Sequence, residues 1–193
     1  WRISQEAFME PASSWLSNLT VRASYGVQGN DNLGSYYAWQ GRFNYGWSNG
    51  TRPGAIAGSI ENRLVTWEKN GNLNIGVDAT FLKGRLSAIV EYYNRKTWDM
   101  LLNNPLAISS GFSGYDDNVG SMLNQGMEFT LRAVIFEKPN FHWDATAMLS
   151  FNRNKVLSLT SGQDVLNYGS MVIEVGKPIY TFYLSKSAGV SPA

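Results

Sequence analysis

The chain contains no cysteine, which excludes a disulfide scaffold, thiolate metal sites and cysteine nucleophiles within it. It has one histidine, His142, so a Ser/His/Asp arrangement or a histidine-rich metal centre would have to rest on that single ring. Charge is scarce, at 16% Asp, Glu, Lys and Arg against roughly 25% in an ordinary soluble domain. The signs balance, with 16 basic and 15 acidic residues for a net charge of +1, and nothing in that points to nucleic acid or another polyanion. Mean hydropathy is −0.24, and no apolar run approaches the roughly 18 residues a membrane helix needs. Gly111-Phe112-Ser113-Gly114 is not a nucleophile elbow, and no phosphate-binding glycine motif occurs. The first residue is Trp1, with no initiator Met, basic n-region or apolar h-region, and the chain reads as a mature or excised piece.

Aromatic residues reach 13%, and there are 19 glycines. Few charges and many rings suit a wall that faces something other than water, and without membrane helices such a wall has to be a β-barrel. The stretch from Asn118 to Val134 shows the pattern most clearly. Met127, Phe129, Leu131, Ala133 and Ile135 are apolar, whereas Asn124, Gly126, Glu128, Thr130 and Arg132 between them are polar or small. A period of two is the signature of a strand with one apolar and one wet face. The same alternation runs through Leu19–Gln28, Leu73–Phe81, Leu86–Thr97 (where Ile89 breaks it) and His142–Asn152. Val65 and Trp67 extend the second of these. Trp1–Ser4 reads as the end of a strand, and Ile179–Ser187 as a last one.

These strands carry about nine to eleven alternating residues or more, the length a tilted strand needs to cross a bilayer. Connections alternate in size. Met9–Ser14, Lys83-Gly84 and Glu137–Asn140 are short, with Gly84 supplying the positive φ of a tight turn; Gly29–Asn62, Asn103–Asn118 and Thr160–Pro178 are long and loop-like. Short turns on one rim and long loops on the other belong to outer-membrane barrels. With Met127, Phe129, Leu131, Ala133 and Ile135 toward lipid, Glu128 and Arg132 face the lumen; the reverse would expose Arg132 to hydrocarbon at roughly 2–4 kcal/mol. The same choice turns Arg22, Asp78, Glu91, Arg95 and Asp144 inward, as a wall of mixed sign whose members pair with one another. The fold class expected is therefore all-β, an antiparallel transmembrane barrel segment of about six or seven strands, unable to close by itself.

Several segments carry a more specific likeness. They are Leu19-Thr20-Val21-Arg22-Ala23-Ser24-Tyr25-Gly26-Val27-Gln28-Gly29-Asn30; Thr66-Trp67-Glu68-Lys69 with Asn74-Ile75-Gly76-Val77-Asp78; Tyr92-Tyr93-Asn94-Arg95-Lys96-Thr97; Asn118-Val119-Gly120-Ser121-Met122 with Asn124-Gln125-Gly126-Met127-Glu128; and Phe151-Asn152-Arg153-Asn154-Lys155-Val156. In this order the sequence resembles the SusC/RagA family of TonB-dependent outer-membrane transporters over nearly its whole length. The resemblance implies a segment from the later part of a barrel of about 22 strands, residues 1–193 holding neither plug nor TonB box; the inward charges would then pair with one another or contact that missing plug. It further implies the outer membrane of a Gram-negative cell, a SusD-like lipoprotein on the extracellular side, TonB engaged through the missing N-terminal part, and uptake of oligosaccharides or peptides.

Tyr36, Tyr37, Trp39, Phe43, Tyr45 and Trp47 lie in the longest loop. Two roles fit them: stacking on a sugar ligand, or packing the loop and meeting a capping partner. Trp15, Trp67, Trp98 and Trp143 sit near strand ends, where amphipathic rings favour the bilayer interface. Asp116-Asp117-Asn118 could ligate a loop Ca²⁺ but lacks the spacing of an EF-hand, and no other cofactor or metal is expected. His142 reads as a rim residue, and the segment as no enzyme. Two rival readings are a soluble β-sandwich that binds carbohydrate and an outer-membrane enzyme barrel; the second lacks a nucleophile and base.

Overall fold

Each well-alternating stretch forms a strand, and those strands lie side by side in one sheet. A computed structural model describes residues 1–159, 164–187 and 189. In chain order the strands are β1 (Leu16–Asn30), β2 (Arg42–Asn49), β3 (Arg52–Ser59), β4 (Glu68–Phe81), β5 (Leu86–Trp98), β6 (Leu101–Pro105), β7 (Gly114–Asn118), β8 (Ser121–Lys138), β9 (Phe141–Ser158), β10 (Val165–Tyr168), β11 (Met171–Glu174) and β12 (Thr181–Phe182). The main sheet has five strands in the order β1-β4-β5-β8-β9. They are 13 to 18 residues long, beyond the roughly 9–11 that span a bilayer. Among the described residues the only helices are short 3₁₀ segments, at Ile3–Gln5, Ala7–Ala12, Leu82–Gly84 and Ile108–Ser110.

Three of the expected loops hold paired strands. The segment Gly29–Asn62 contains the hairpin β2–β3, and Asn103–Asn118 contains most of the hairpin β6–β7. Within Thr160–Pro178, β10 pairs with β11; residues 160–163 lie outside the described set. The expected strand Ile179–Ser187 shrinks to Thr181–Phe182, paired with β11, so the main sheet has five strands where six or seven were expected. Val65 and Trp67 precede β4 and are not part of it. Of Trp1–Ser4 only Arg2 bridges, to Thr20, before the chain turns into 3₁₀ structure. The Gly189–Pro192 loop reading lies outside the described residues apart from Gly189. In the turn after β4, Gly84 has φ 94° as expected, and Leu82 and Lys83 are also left-handed, at 53° and 55°, a conformation that costs about 1–2 kcal/mol per non-glycine residue.

The chain forms two compact units. One comprises Trp1–Val27, Gly71–Lys96 and Leu123–Arg153, and it is a single-layer wall. Along β8 Met127, Leu131 and Ile135 remain exposed, as do Trp143, Leu149 and Phe151 on β9. A β-sandwich would cover that apolar face with a second sheet about 10 Å away. The other unit takes Gln28–Asn70, Thr97–Met122 and the residues from Asn154 onward. It has a small core of its own, Val156, Leu166 and Ile173, packed by Leu102, Tyr168 and Ile179.

Candidate functional site

The polar register of the wall is laced together across strands. Arg22 on β1 grips Asp78 on β4 with two bonds, Nε to Oδ2 at 2.7 Å and Nη2 to Oδ1 at 2.9 Å, and Nη2 also reaches Glu91 on β5 at 3.0 Å. That reach crosses β4 at Gly76, where a Cβ would lie 3.1 Å from the guanidinium. A second bridge repeats the device. The Tyr93 hydroxyl on β5 donates to Asn152 Oδ1 on β9 at 3.0 Å, passing over β8 at Gly126, where a Cβ would stand 2.6 Å from the tip of the ring. Two glycines of the family-like motifs are thus gaps through which a long side chain spans a whole strand.

Six of the seven charges expected to face inward fall into three groups. Arg22, Asp78 and Glu91 form the network above. Arg132 and Asp144 pair at 3.3 Å between β8 and β9, and His142 Nε2 lies 3.3 Å from the other oxygen of Asp144, an ion pair when the ring is protonated. Arg95 donates through Nε to Asn72 at 2.7 Å. Arg22, Glu91, Arg95 and Glu128, with Asn74 and Asn152, line a concavity of about 900 Å³. These exposed pairs contribute little each, with a median of roughly 0–1 kcal/mol, so their effect is to fix the shape of the face. A small groove of about 210 Å³ runs along Ala88, Val90, Phe129, Leu131, Ala147 and Leu149 of the apolar register, with Ile89, Thr130 and Met148 between them also on its lining.

Rings gather at the strand ends beside the short turns. Trp15 stacks on Phe81 at 6.0 Å, and Phe136 on Trp143 at 5.8 Å with Phe141 beside it. Phe136 belongs by number to the polar register; its pairing with Trp143 follows the loss of alternation in Ala133-Val134-Ile135-Phe136. Trp67 immediately precedes β4 and Trp98 ends β5, both on the long-loop side.

The aromatic set of the long loop is not one platform. Phe43 pairs with Ala57 and Tyr45 with Ala55, but Trp47 pairs with Gly54, because Gly46 is an extra residue with φ 93°. A bulge of this kind reverses the alternation, so Phe43 and Tyr45 share one face of the hairpin and Trp47 takes the other with Ile56. Tyr37 lies under the Arg42 guanidinium, 5.7 Å from its ring centre. Tyr36 is 96% exposed, and Trp39 is about half-exposed.

The motif beginning at Asn118 ties loop segments together. Its amide donates to the carbonyls of Thr66 at 2.9 Å and Asp99 at 2.8 Å, and its oxygen accepts from Thr66 N at 2.8 Å. Val119 is fully buried, and Gly120, at φ 93°, packs against the Ser158 backbone where no Cβ would fit. The acids before it are already engaged: the Asp116 carboxylate accepts from the Asn103 amide at 3.3 Å, and the Asp117 carboxylate from the Asn62 amide and, at 3.1 Å, from the Tyr115 hydroxyl. Burial, with Asp117 alongside, pushes the Tyr115 hydroxyl above the ordinary phenol range and keeps it a donor. Among the described residues no group of three or more His, Asp or Glu is placed to hold a metal ion.

Comparison with known proteins agrees with this architecture. The family profile "TonB dependent receptor-like, beta-barrel" matches residues 11–181. TonB-dependent receptor P26 of Formosa agariphila is 36% identical over 82% of the chain and 16% of its own length. TonB-dependent receptor SusC of Bacteroides thetaiotaomicron is 31% identical over 85% of the chain and 17% of its own. Among solved structures, the RagAB peptide transporter superposes with a TM-score of 0.87 and 31% identity, covering 99% of the chain and 21% of its counterpart. The chain therefore spans about a fifth or less of these relatives. It belongs to the TonB-dependent receptor β-barrel family, in the SusC/RagA group.

Proposed function

We propose that residues 1–193 are part of the barrel wall of an outer-membrane importer energised through TonB. In it the polar register, with Arg22, Asp78, Glu91, Arg95, Glu128, Arg132 and Asp144, faces the lumen, and Met127, Phe129, Leu131, Ala133 and Ile135 face lipid. The supporting observation is a single-layer sheet whose one face is tied by ion pairs and amides while the other leaves large apolar side chains uncovered. In water so much exposed apolar surface would be a liability; in a bilayer it is the match for acyl chains. The cargo is an oligosaccharide or a peptide, and a SusD-like surface lipoprotein works with the barrel. The segment has no catalytic role.

Cells carrying the complete gene are expected to accumulate a labelled oligosaccharide or peptide mixture only while TonB and the proton gradient are intact, and the purified barrel to bring down a surface lipoprotein. Accumulation unaffected by loss of TonB would contradict the proposal.

A further inference from the structure

The outer register of the wall changes chemistry at one level. Tyr93, Gly126 and Asn152 form an inner row across β5, β8 and β9, because the Tyr93 hydroxyl crosses Gly126 to reach Asn152. Successive strand residues point to opposite faces, so the next step toward the long loops, Asn94, Gln125 and Arg153, is an outer row. The Asn94 amide agrees with that placement, donating to Gln125 Oε1 at 3.4 Å and to the Tyr92 hydroxyl at 3.3 Å. Toward the short turns the same register is apolar, with Ala88 and Val90 on β5, Phe129 and Leu131 on β8, and Leu149 and Phe151 on β9. Toward the long loops it holds amides and two cations, the exposed Arg153 and the half-buried Lys96, and no acid stands among them. A plug inside a barrel does not reach this face, and β5 and β8 are flanked on both sides within the sheet.

The groove of about 210 Å³ lies on the same face of the same three strands. Its middle, at Ile89, Thr130 and Met148, is five residues from the Asn94 row, about 17 Å along a strand at roughly 3.3 Å per residue. With strands tilted about 40° that is a depth of about 13 Å, close to half of a hydrocarbon core of about 30 Å. We propose that this outer face seats one lipid of the leaflet on the long-loop side, an acylated disaccharide carrying two phosphates. Lys96 and Arg153 take the phosphates, Tyr92, Asn94 and Gln125 the sugar hydroxyls, and the groove an acyl chain; this rests on the barrel-wall reading above. Charge-assisted hydrogen bonds favour phosphate at both cations, and amides offer the donors and acceptors that sugar hydroxyls need. Two strand spacings, about 10 Å, separate the cations sideways, so a disaccharide with two phosphates meets both where a single phosphodiester meets one.

The test adds lipid to the complete receptor, purified and delipidated in detergent, and counts bound copies by native mass spectrometry. The probes are a bis-phosphorylated, acylated glucosamine disaccharide, the same lipid without its phosphates, and phosphatidylglycerol. The first is expected to bind at least tenfold more tightly than the other two. Lys96→Gln combined with Arg153→Gln should lower its affinity about tenfold and leave the dephosphorylated lipid unchanged, whereas Lys96→Arg should keep the preference. Ala88→Phe, which fills the groove, should weaken both disaccharide lipids alike, and Lys138→Gln at the short-turn end of β8 should weaken neither. Equal binding of the phosphorylated and dephosphorylated lipids overturns the proposal, as does a double variant that retains the preference. Phosphatidylglycerol bound as tightly as the disaccharide overturns it too, by showing a face that takes any anionic lipid. The barrel-wall reading fails separately: a receptor that stays monodisperse in water without detergent contradicts that reading, whereas a detergent-dependent receptor without phosphate preference sinks this proposal alone.

Discussion

Gly126→Val is expected to lower the stability of the receptor by roughly 2–4 kcal/mol. The glycine sits on β8 under the Tyr93 ring, with the Phe151 carbonyl of β9 on its other side. A branched side chain there would push the ring out of its path and press on β9 backbone, which cannot retreat without loosening the ladder. Overpacking of this kind costs about 1–3 kcal/mol, and the lost Tyr93–Asn152 hydrogen bond about 1 kcal/mol more. Tyr93→Phe separates the two parts, because it deletes the bond and leaves the packing; its expected cost is about 1 kcal/mol. Thermal unfolding of the detergent-solubilised receptor reads both. If Gly126→Val and Tyr93→Phe are equally mild, Gly126 is not the gap it is taken to be.

Leu131→Arg carries the second large effect. Leu131 is in the middle of β8, in the apolar register and 47% exposed. Arginine on the lipid face near the midplane costs roughly 2–4 kcal/mol. Thr130→Arg, one residue away in the polar register, should cost under about 1 kcal/mol, since it adds a charge to a register that already holds Arg132 and Asp144. The contrast between the neighbours matters more than either value. It is read from the fraction of receptor that assembles in the outer membrane. Equal tolerance of arginine at both positions would mean that neither face meets hydrocarbon.

The five wall strands were legible because each carries one apolar and one polar register, and the period of two is the direct record of that. Their polar register was legible for the same reason: Arg22, Asp78 and Glu91 alternate with apolar residues on three separate strands. Which of them would touch was not, because contact depends on the stagger between strands far apart in sequence. Glycine at 76 and 126 was the only local trace of the bridges above it. The hairpins β2–β3, β6–β7 and β10–β11 were missed for a different reason. Strands of four to eight residues, broken by extra residues at Gly46 and Gly58 and with no uniform solvent on either side, leave no clean alternation. The six rings of the long loop were grouped by nearness in sequence, and a single bulge turns Trp47 to the opposite side.

Because these residues contain no cysteine, a spin label attached to one introduced cysteine at a time along β8 tests the two-solvent wall most directly. In receptor reconstituted in bilayers, labels at 127, 129, 131, 133 and 135 are expected to collide mainly with oxygen dissolved in lipid. Labels at 128, 130 and 132 should collide mainly with a water-soluble nickel chelate, so that accessibility oscillates with a period of two. Equal exposure of both sets to the nickel chelate would show that the apolar register meets water, and the barrel-wall account would be wrong.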